Sequence, residues 1–173
     1  MRRLTLAILA GALTLGLVAG PVAAKQPDTS GSNIVDTAIA VNKSGPYAGS
    51  FDTLIALVVK LDLANALSQR GQLTVFAPTD DAFQTDLGLN PGNVDAAIAA
   101  LGRGTVTDIV LYHVAKGNRD AAEVLGSSKI RMLNGDFAKV DASAGTIDGA
   151  PIIVTNVPAS NGIIHAVGGV LLP

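Results

Sequence analysis

Between Asn33 and Val41 the apolar residues Ile34, Val35, Ala38 and Ile39 fall at the i, i+3, i+4 spacing of an amphipathic helix. A second stripe, Phe51, Leu54, Ile55 and Val58, predicts another helix, with Ser50 as its cap and Asp52 in its first turn. A further turn starts at Asp62, carries Leu63, Ala66 and Leu67, and stops at Gly71 as a C-cap. From Gln72 to Ala77 the residues become β-branched and aromatic, and a buried strand is predicted. Thr79 is placed to cap a helix over 80–87, whose first turn sets Asp80 and Asp81 against the helix dipole. Asn90-Pro91-Gly92 interrupts the chain. Short helices follow over 94–101 and 105–112, parted by Gly102 and Gly104, the second with Val106, Ile109 and Val110 on one side.

From Lys129 the period changes to two. Residues 129–133 alternate polar and apolar, Asn134-Gly135 carries the type I′ turn signal, and 136–140 returns. Ile147 leads into a second signal at Asp148-Gly149, and 151–157 reads as a strand. Asn161-Gly162, taken as two left-handed turn residues, turns into 163–167, and Val170-Leu171-Leu172 reads as a closing strand. Helices first and a meander later predict an α+β fold with helices packed on an antiparallel sheet.

The first 24 residues stand outside this pattern. Arg2-Arg3 is followed by an apolar run from Leu4 to Val18 and by small residues at Val22-Ala23-Ala24, the plan of a secretory signal peptide. An uncleaved anchor is the competing reading, because no charge falls between Leu4 and Ala24; Gly20-Pro21 and the small residues after it favour cleavage. The expected organisation is a signal peptide over 1–24, a flexible leader over 25–32 and one domain over 33–173. The mature chain would be secreted, extracellular or periplasmic, with no membrane span after cleavage.

Composition narrows the chemistry. The net charge of -2 gives no footprint for nucleic acid, and the absence of Cys excludes disulfides, thiolate metal sites and thiol nucleophiles. Aromatic residues are 3% of the chain, so Leu, Ile, Val and Ala must fill the core. The two histidines, His113 and His165, come with no HExxH, GxSxG or Walker-type motif, and no enzyme, metal or cofactor is expected. Asp80-Asp81 fits dipole compensation better than a hard-metal pair. Asn42-Lys43-Ser44 is a glycosylation sequon, with meaning only in a eukaryotic secretory pathway.

Three segments carry a resemblance. Residues 74–83 (TVFAPTDDAF), Leu111-Tyr112-His113-Val114, and residues 161–173 (NGIIHAVGGVLLP) resemble, in order and spacing, the first box, the Tyr-His motif and the second box of the fasciclin domain family. The resemblance covers residues 33–173 and implies a wedge of two β-sheets packed with several α-helices, the helices mostly in the N-terminal half. It implies a non-catalytic adhesion or interaction module whose partner is a cell-surface or extracellular protein or matrix component. It assigns partner binding to Tyr112 and His113 with the nearby branched aliphatics Ile109, Val110, Leu111 and Val114, and Asp108 joins them as the acid of an Asp-Ile pair. Adhesive animal members carry Asp-Ile just before the second box, where this chain has Asn156-Val157; Asp108-Ile109 is the one such pair left. Gly168 stands where Asp is common. Two matters stay open from the residues. Tyr112 and His113 can bond inside the fold, for example near Thr79, instead of meeting a partner. The same fold can also carry an apolar small molecule, a pigment or lipid, although a low aromatic count speaks against it.

Overall fold

A computed structural model describes residues 31–69 and 71–173. The expected signal peptide and residues 25–30 of the leader lie outside the described residues.

The helical half follows its capping chemistry. Helix α1 (Ile34–Lys43) starts at Asn33, whose side chain accepts from the Val35 and Asp36 amides. Helix α2 (Asp52–Lys60) starts one residue later than a Ser50 cap would allow. Phe51 occupies the N-cap without a side-chain bond. The carboxylate of Asp80, from the first box, instead accepts from the Asp52 and Thr53 amides at 3.0 and 2.8 Å. The Asp80 amide in turn donates to the Ser50 carbonyl at 2.8 Å. One carboxylate therefore satisfies two orphan amides and opposes the dipole of a helix far away in sequence. Helix α3 (Ala64–Ser68) ends before Gly71, with Gln69 as its C-cap.

Strand β1 (Leu73–Pro78) runs into α4 (Asp80–Leu87), capped by Thr79 and closed by left-handed Gly88. Helices α5 (Val94–Leu101) and α6 (Arg103–Tyr112) meet at Gly102, so Gly104 lies inside α6 and does not separate the two. Then come β2 (Val114–Lys116), α7 (Ala121–Leu125), β3 (Lys129–Arg131), β4 (Phe137–Asp141), β5 (Thr146–Ile147), β6 (Ala150–Ala159) and β7 (Gly162–Val167). The sequence reading had no α7 and no β2. The Asp120–Glu123 capping box that opens α7 was nevertheless visible as residue types at the right spacing.

The strands run β2-β1-β7-β6-β5-β4-β3. Every pairing is antiparallel except β1 with β7, which is parallel with Val75 opposite Ile164. An Ala115–Met132 bridge returns β3 to β2, so the sheet folds over on itself and its two halves form the arms of the wedge. Strands β1 and β7 are covered on both faces. Val75, Ala77, Ile164 and Ala166 pack against the helices with Leu54, Leu57 and Val110. Phe76 and Val167 point the other way, into the space between the arms, with Ile130, Ala138, Ile147 and Leu171. Val75 and Phe76 thus enter two different cores, as strand alternation dictates.

Two turn expectations change. Asp148 and Gly149 are both left-handed, as a type I′ turn requires, but only the glycine is left-handed at 134–135 and at 161–162. Residues 170–172 form no strand. Strand β1 ends at Pro78, opposite Val167, and the last bond to β6 is the Gly168 amide donating to the Pro151 carbonyl at 2.9 Å, short of residues 170–172. The Val170 amide is instead held by the Asp86 carboxylate at 2.7 Å and the Leu171 amide by His113 Nε2 at 2.9 Å.

Candidate functional site

The Tyr-His pair closes α6. Helix α6 places Val106 and Val110 in the helical core, so the polar residues at its end are carried inward with them. His113 is 2% exposed and Tyr112 4% exposed.

The His113 ring is bonded at both nitrogens. Nε2 accepts from the Leu171 amide at 2.9 Å, which leaves Nδ1 as the protonated nitrogen, donating to the Ile109 carbonyl at 2.8 Å. The ring must be neutral to do both. Burial pushes its pKa down from 6.5 to about 4, only partly opposed by the Ile109 carbonyl. The folded state therefore binds fewer protons at this site than the unfolded chain between about pH 6.5 and 4. Stability from His113 is fully present above pH 6.5 and falls as the pH drops toward 4, by about 3 kcal/mol in all. Urea denaturation of the wild type and His113→Gln across that window should give a steeper pH slope for the wild type. Equal slopes would show that His113 titrates freely.

Tyr112 turns into the wedge. Its hydroxyl donates to the Asp148 carboxylate at 2.6 Å and lies 3.3 Å from the Phe137 carbonyl oxygen. Burial and that carboxylate raise the phenol pKa, so Tyr112 stays a donor. Asp148 also accepts from the Lys139 amide at 2.7 Å, which ties the end of α6 to the β4–β5 hairpin. Neither side chain reaches Thr79; the link to the first box is the Phe76 amide donating to the His113 carbonyl at 2.8 Å. Asp108 is exposed and Ile109 half-buried, on the outer side of the same helix. Of the residues assigned from the sequence, Tyr112 and His113 therefore form an inner pair and Asp108 and Ile109 an outer pair, joined through the Ile109 carbonyl.

Sequence reasoning missed three supports of this region. Asp86 holds Val170, and Asp148 holds Tyr112. Asn161 joins three segments: its side chain accepts from the Ile34 amide at 2.8 Å and donates to the Leu67 and Gln69 carbonyls at 2.8 and 3.1 Å. No local pattern points to such partners, since each bond spans a long stretch of chain. The second histidine, His165, is fully buried, stacks on Phe76 at 5.7 Å and bonds the Arg119 carbonyl at 2.9 Å. Burial lowers its pKa as well.

His113, Val110 and Val114 also line an apolar cavity under α1 and α2, of about 40 Å³. A pigment or lipid needs roughly 300–1,000 Å³. Among the described residues no group of His, Asp and Glu is arranged to hold a metal, and no helix is long and apolar enough to cross a membrane.

A folded-over sheet joined by a parallel β1–β7 pair, with the Tyr-His turn locked behind it, defines the fasciclin fold. The chain belongs to the Fasciclin domain family, whose profile matches residues 49–173. It is 36% identical over 140 residues to Protein sll1483 of Synechocystis sp. (strain ATCC 27184 / PCC 6803 / Kazusa), covering 80% of this chain and 76% of that protein. Transforming growth factor-beta-induced protein ig-h3 of Oryctolagus cuniculus is 29% identical over 125 residues, which span 71% of this chain and 18% of that protein. Among solved structures, a FAS1 domain pair from the insect cell adhesion molecule Fasciclin I superposes with a TM-score of 0.62 at 17% identity. That match covers 83% of this chain and 52% of the pair, and it speaks for the fold alone.

Proposed function

We propose that this protein is a non-catalytic, exported interaction module that adheres to a cell-surface or extracellular component through the outer face of α6. Residues 1–24 direct export, 25–32 form a leader, and 33–173 act outside the cytoplasm. The reading rests on one observation: Tyr112 and His113 fix the end of α6 from within while Asp108 and Ile109 remain on its surface. A helix end held by two long-range hydrogen-bond systems is a rigid platform, and rigidity lowers the entropic cost of binding. Membership of a family that includes a domain pair from an insect cell adhesion molecule supports the same class. The apolar cavity is far too small for the cargo that the carrier reading requires.

The test is co-sedimentation of the purified domain with intact cells of the producing organism. Asp108→Asn with Ile109→Ser should abolish binding while lowering the unfolding midpoint by only a few degrees, the cost of the half-buried Ile109 side chain. Tyr112→Phe should bind normally while losing about 1.5–3 kcal/mol of stability, the usual worth of a hydrogen bond to a charged acceptor. Undiminished binding by the Asp108/Ile109 variant would exclude the α6 face.

A further inference from the structure

Strands β3 and β4 bury Ile130 and Ala138, so their neighbours Lys129, Arg131, Phe137 and Lys139 all face outward. Register places Lys129 directly opposite Lys139, and Arg131 opposite Phe137. The Ala115–Met132 bridge extends this face onto β2 and sets exposed Lys116 beside Arg131. Phe137 is 53% exposed, with Lys129 Nζ 4.7 Å from the ring centroid.

This arrangement is costly for the fold. Like charges facing each other across a strand pair destabilise it. Among the described residues the ion pairs are Lys60–Asp95 and Arg103–Asp62, and none involves these four cations. Arg131 Nε reaches only the Gly135 carbonyl oxygen, at 3.3 Å. The nearby carboxylates are engaged elsewhere: Asp148 by Tyr112 and the Lys139 amide, Asp136 by the Asn134 side chain, Asp141 by Ser143 and the Ala144 amide. Four cations without an ion-pair partner among the described residues therefore lie on the same sheet face as an exposed ring.

We propose that the outer face of β2, β3 and β4 binds an anionic polysaccharide, its carboxylate or sulfate groups meeting Lys116, Lys129, Arg131 and Lys139 and a sugar face stacking on Phe137. The chemistry favours this polymer over other polyanions. A membrane surface holds a protein in proportion to the apolar area it buries, and the single exposed ring of Phe137 is a small footprint for that. An acidic peptide adding as a strand would need a free edge, and the edges of β2 and β3 are brought together by the Ala115–Met132 bridge. Duplex nucleic acid offers Phe137 no free ring face, because its bases are stacked inside the helix. This face is separate from the outer side of α6, so the two surfaces are tested independently.

Heparin and polygalacturonate serve as sulfated and carboxylated probes, with neutral dextran, phosphatidylglycerol vesicles and duplex DNA as comparisons, titrated at two salt concentrations. Binding to one or both acidic polysaccharides, weakened by salt and absent for dextran, is expected. Lys129→Gln with Lys139→Gln should weaken it about tenfold and flatten its salt dependence, because two charge contacts are lost. Phe137→Ser should weaken binding while leaving the salt dependence unchanged. The double Lys variant should also melt no lower than the wild type, since it removes a repulsive pair, and this separates lost binding from lost folding. No binding to either polysaccharide at low salt, or an unaltered affinity in the double variant, would overturn the proposal. So would equal or tighter binding to the vesicles or the DNA.

Discussion

Gly162→Ala is expected to leave the domain largely unfolded at 37 °C. Gly162 opens β7 at φ 155, and its Cα faces the backbone of β1 so closely that a Cβ would overlap the Leu73 carbonyl oxygen and press on Ile34 Cδ1. The obstructing atom is backbone, in a strand paired on both sides, so it cannot swing away as a side chain would. Relief requires β1 and β7 to move apart, and with them the parallel pairing that both cores share. A cost of at least about 4 kcal/mol follows, a large share of the stability of a domain this size. Gly135→Ala is the matched control. Its φ is 109, but a Cβ there meets nothing within 4 Å, so only the conformational penalty of about 1 kcal/mol remains. Denaturation midpoints should separate the two variants widely. A Gly162→Ala protein no less stable than Gly135→Ala would refute the close approach.

The second large effect belongs to Phe76→Ala, with an expected loss of about 3–5 kcal/mol and a melting temperature lowered by about 10–15 °C. Phe76 is 0% exposed, stacks on His165 and fills the space between the arms of the wedge. Its surroundings in that core include Ala115, Ala138 and Ala150, which are too short to close over a vacated ring. The chain holds four Phe, two Tyr and no Trp, so little else has the volume to compensate. The midpoint from thermal unfolding followed by far-ultraviolet circular dichroism decides it; a shift of only a few degrees would mean that the core collapses around the gap.

Several elements were legible because their signals are local. Thr79 caps its helix as its residue type predicts, and Asp148-Gly149 makes the left-handed pair that its dipeptide announces. The resemblance supplied the wedge but not the parallel pairing of β1 with β7, where an antiparallel sheet was expected; that pairing has no signature in either strand, both of which read simply as apolar runs. The errors share a cause. Ser50 looked like a cap because it stood in the right place along the chain, but the Asp80 carboxylate arrives from elsewhere and satisfies the amides better. Residues 170–172 have strand composition, yet a strand needs a neighbour, and β1 has by then turned into α4. For the candidate site, the residue types were readable and their orientation was not. Tyr112 and His113 sit next to each other in sequence, but Asp148 and Leu171, which fix where they point, lie far down the chain.

The position of β7 at the heart of the sheet also has a consequence for how the protein is made. Leu73–Pro78 has emerged from the ribosome long before Gly162–Val167, yet its longest pairing is with that late strand. Until β7 arrives, both cores lack the wall that divides them, and the contact order of the finished domain is correspondingly high, which slows folding. A nascent chain of this design stays open through most of its synthesis and closes in one late, cooperative step. On the export reading proposed above, such delay is an asset: a chain that crosses a membrane unfolded commits to its structure only once its second box is free to pair.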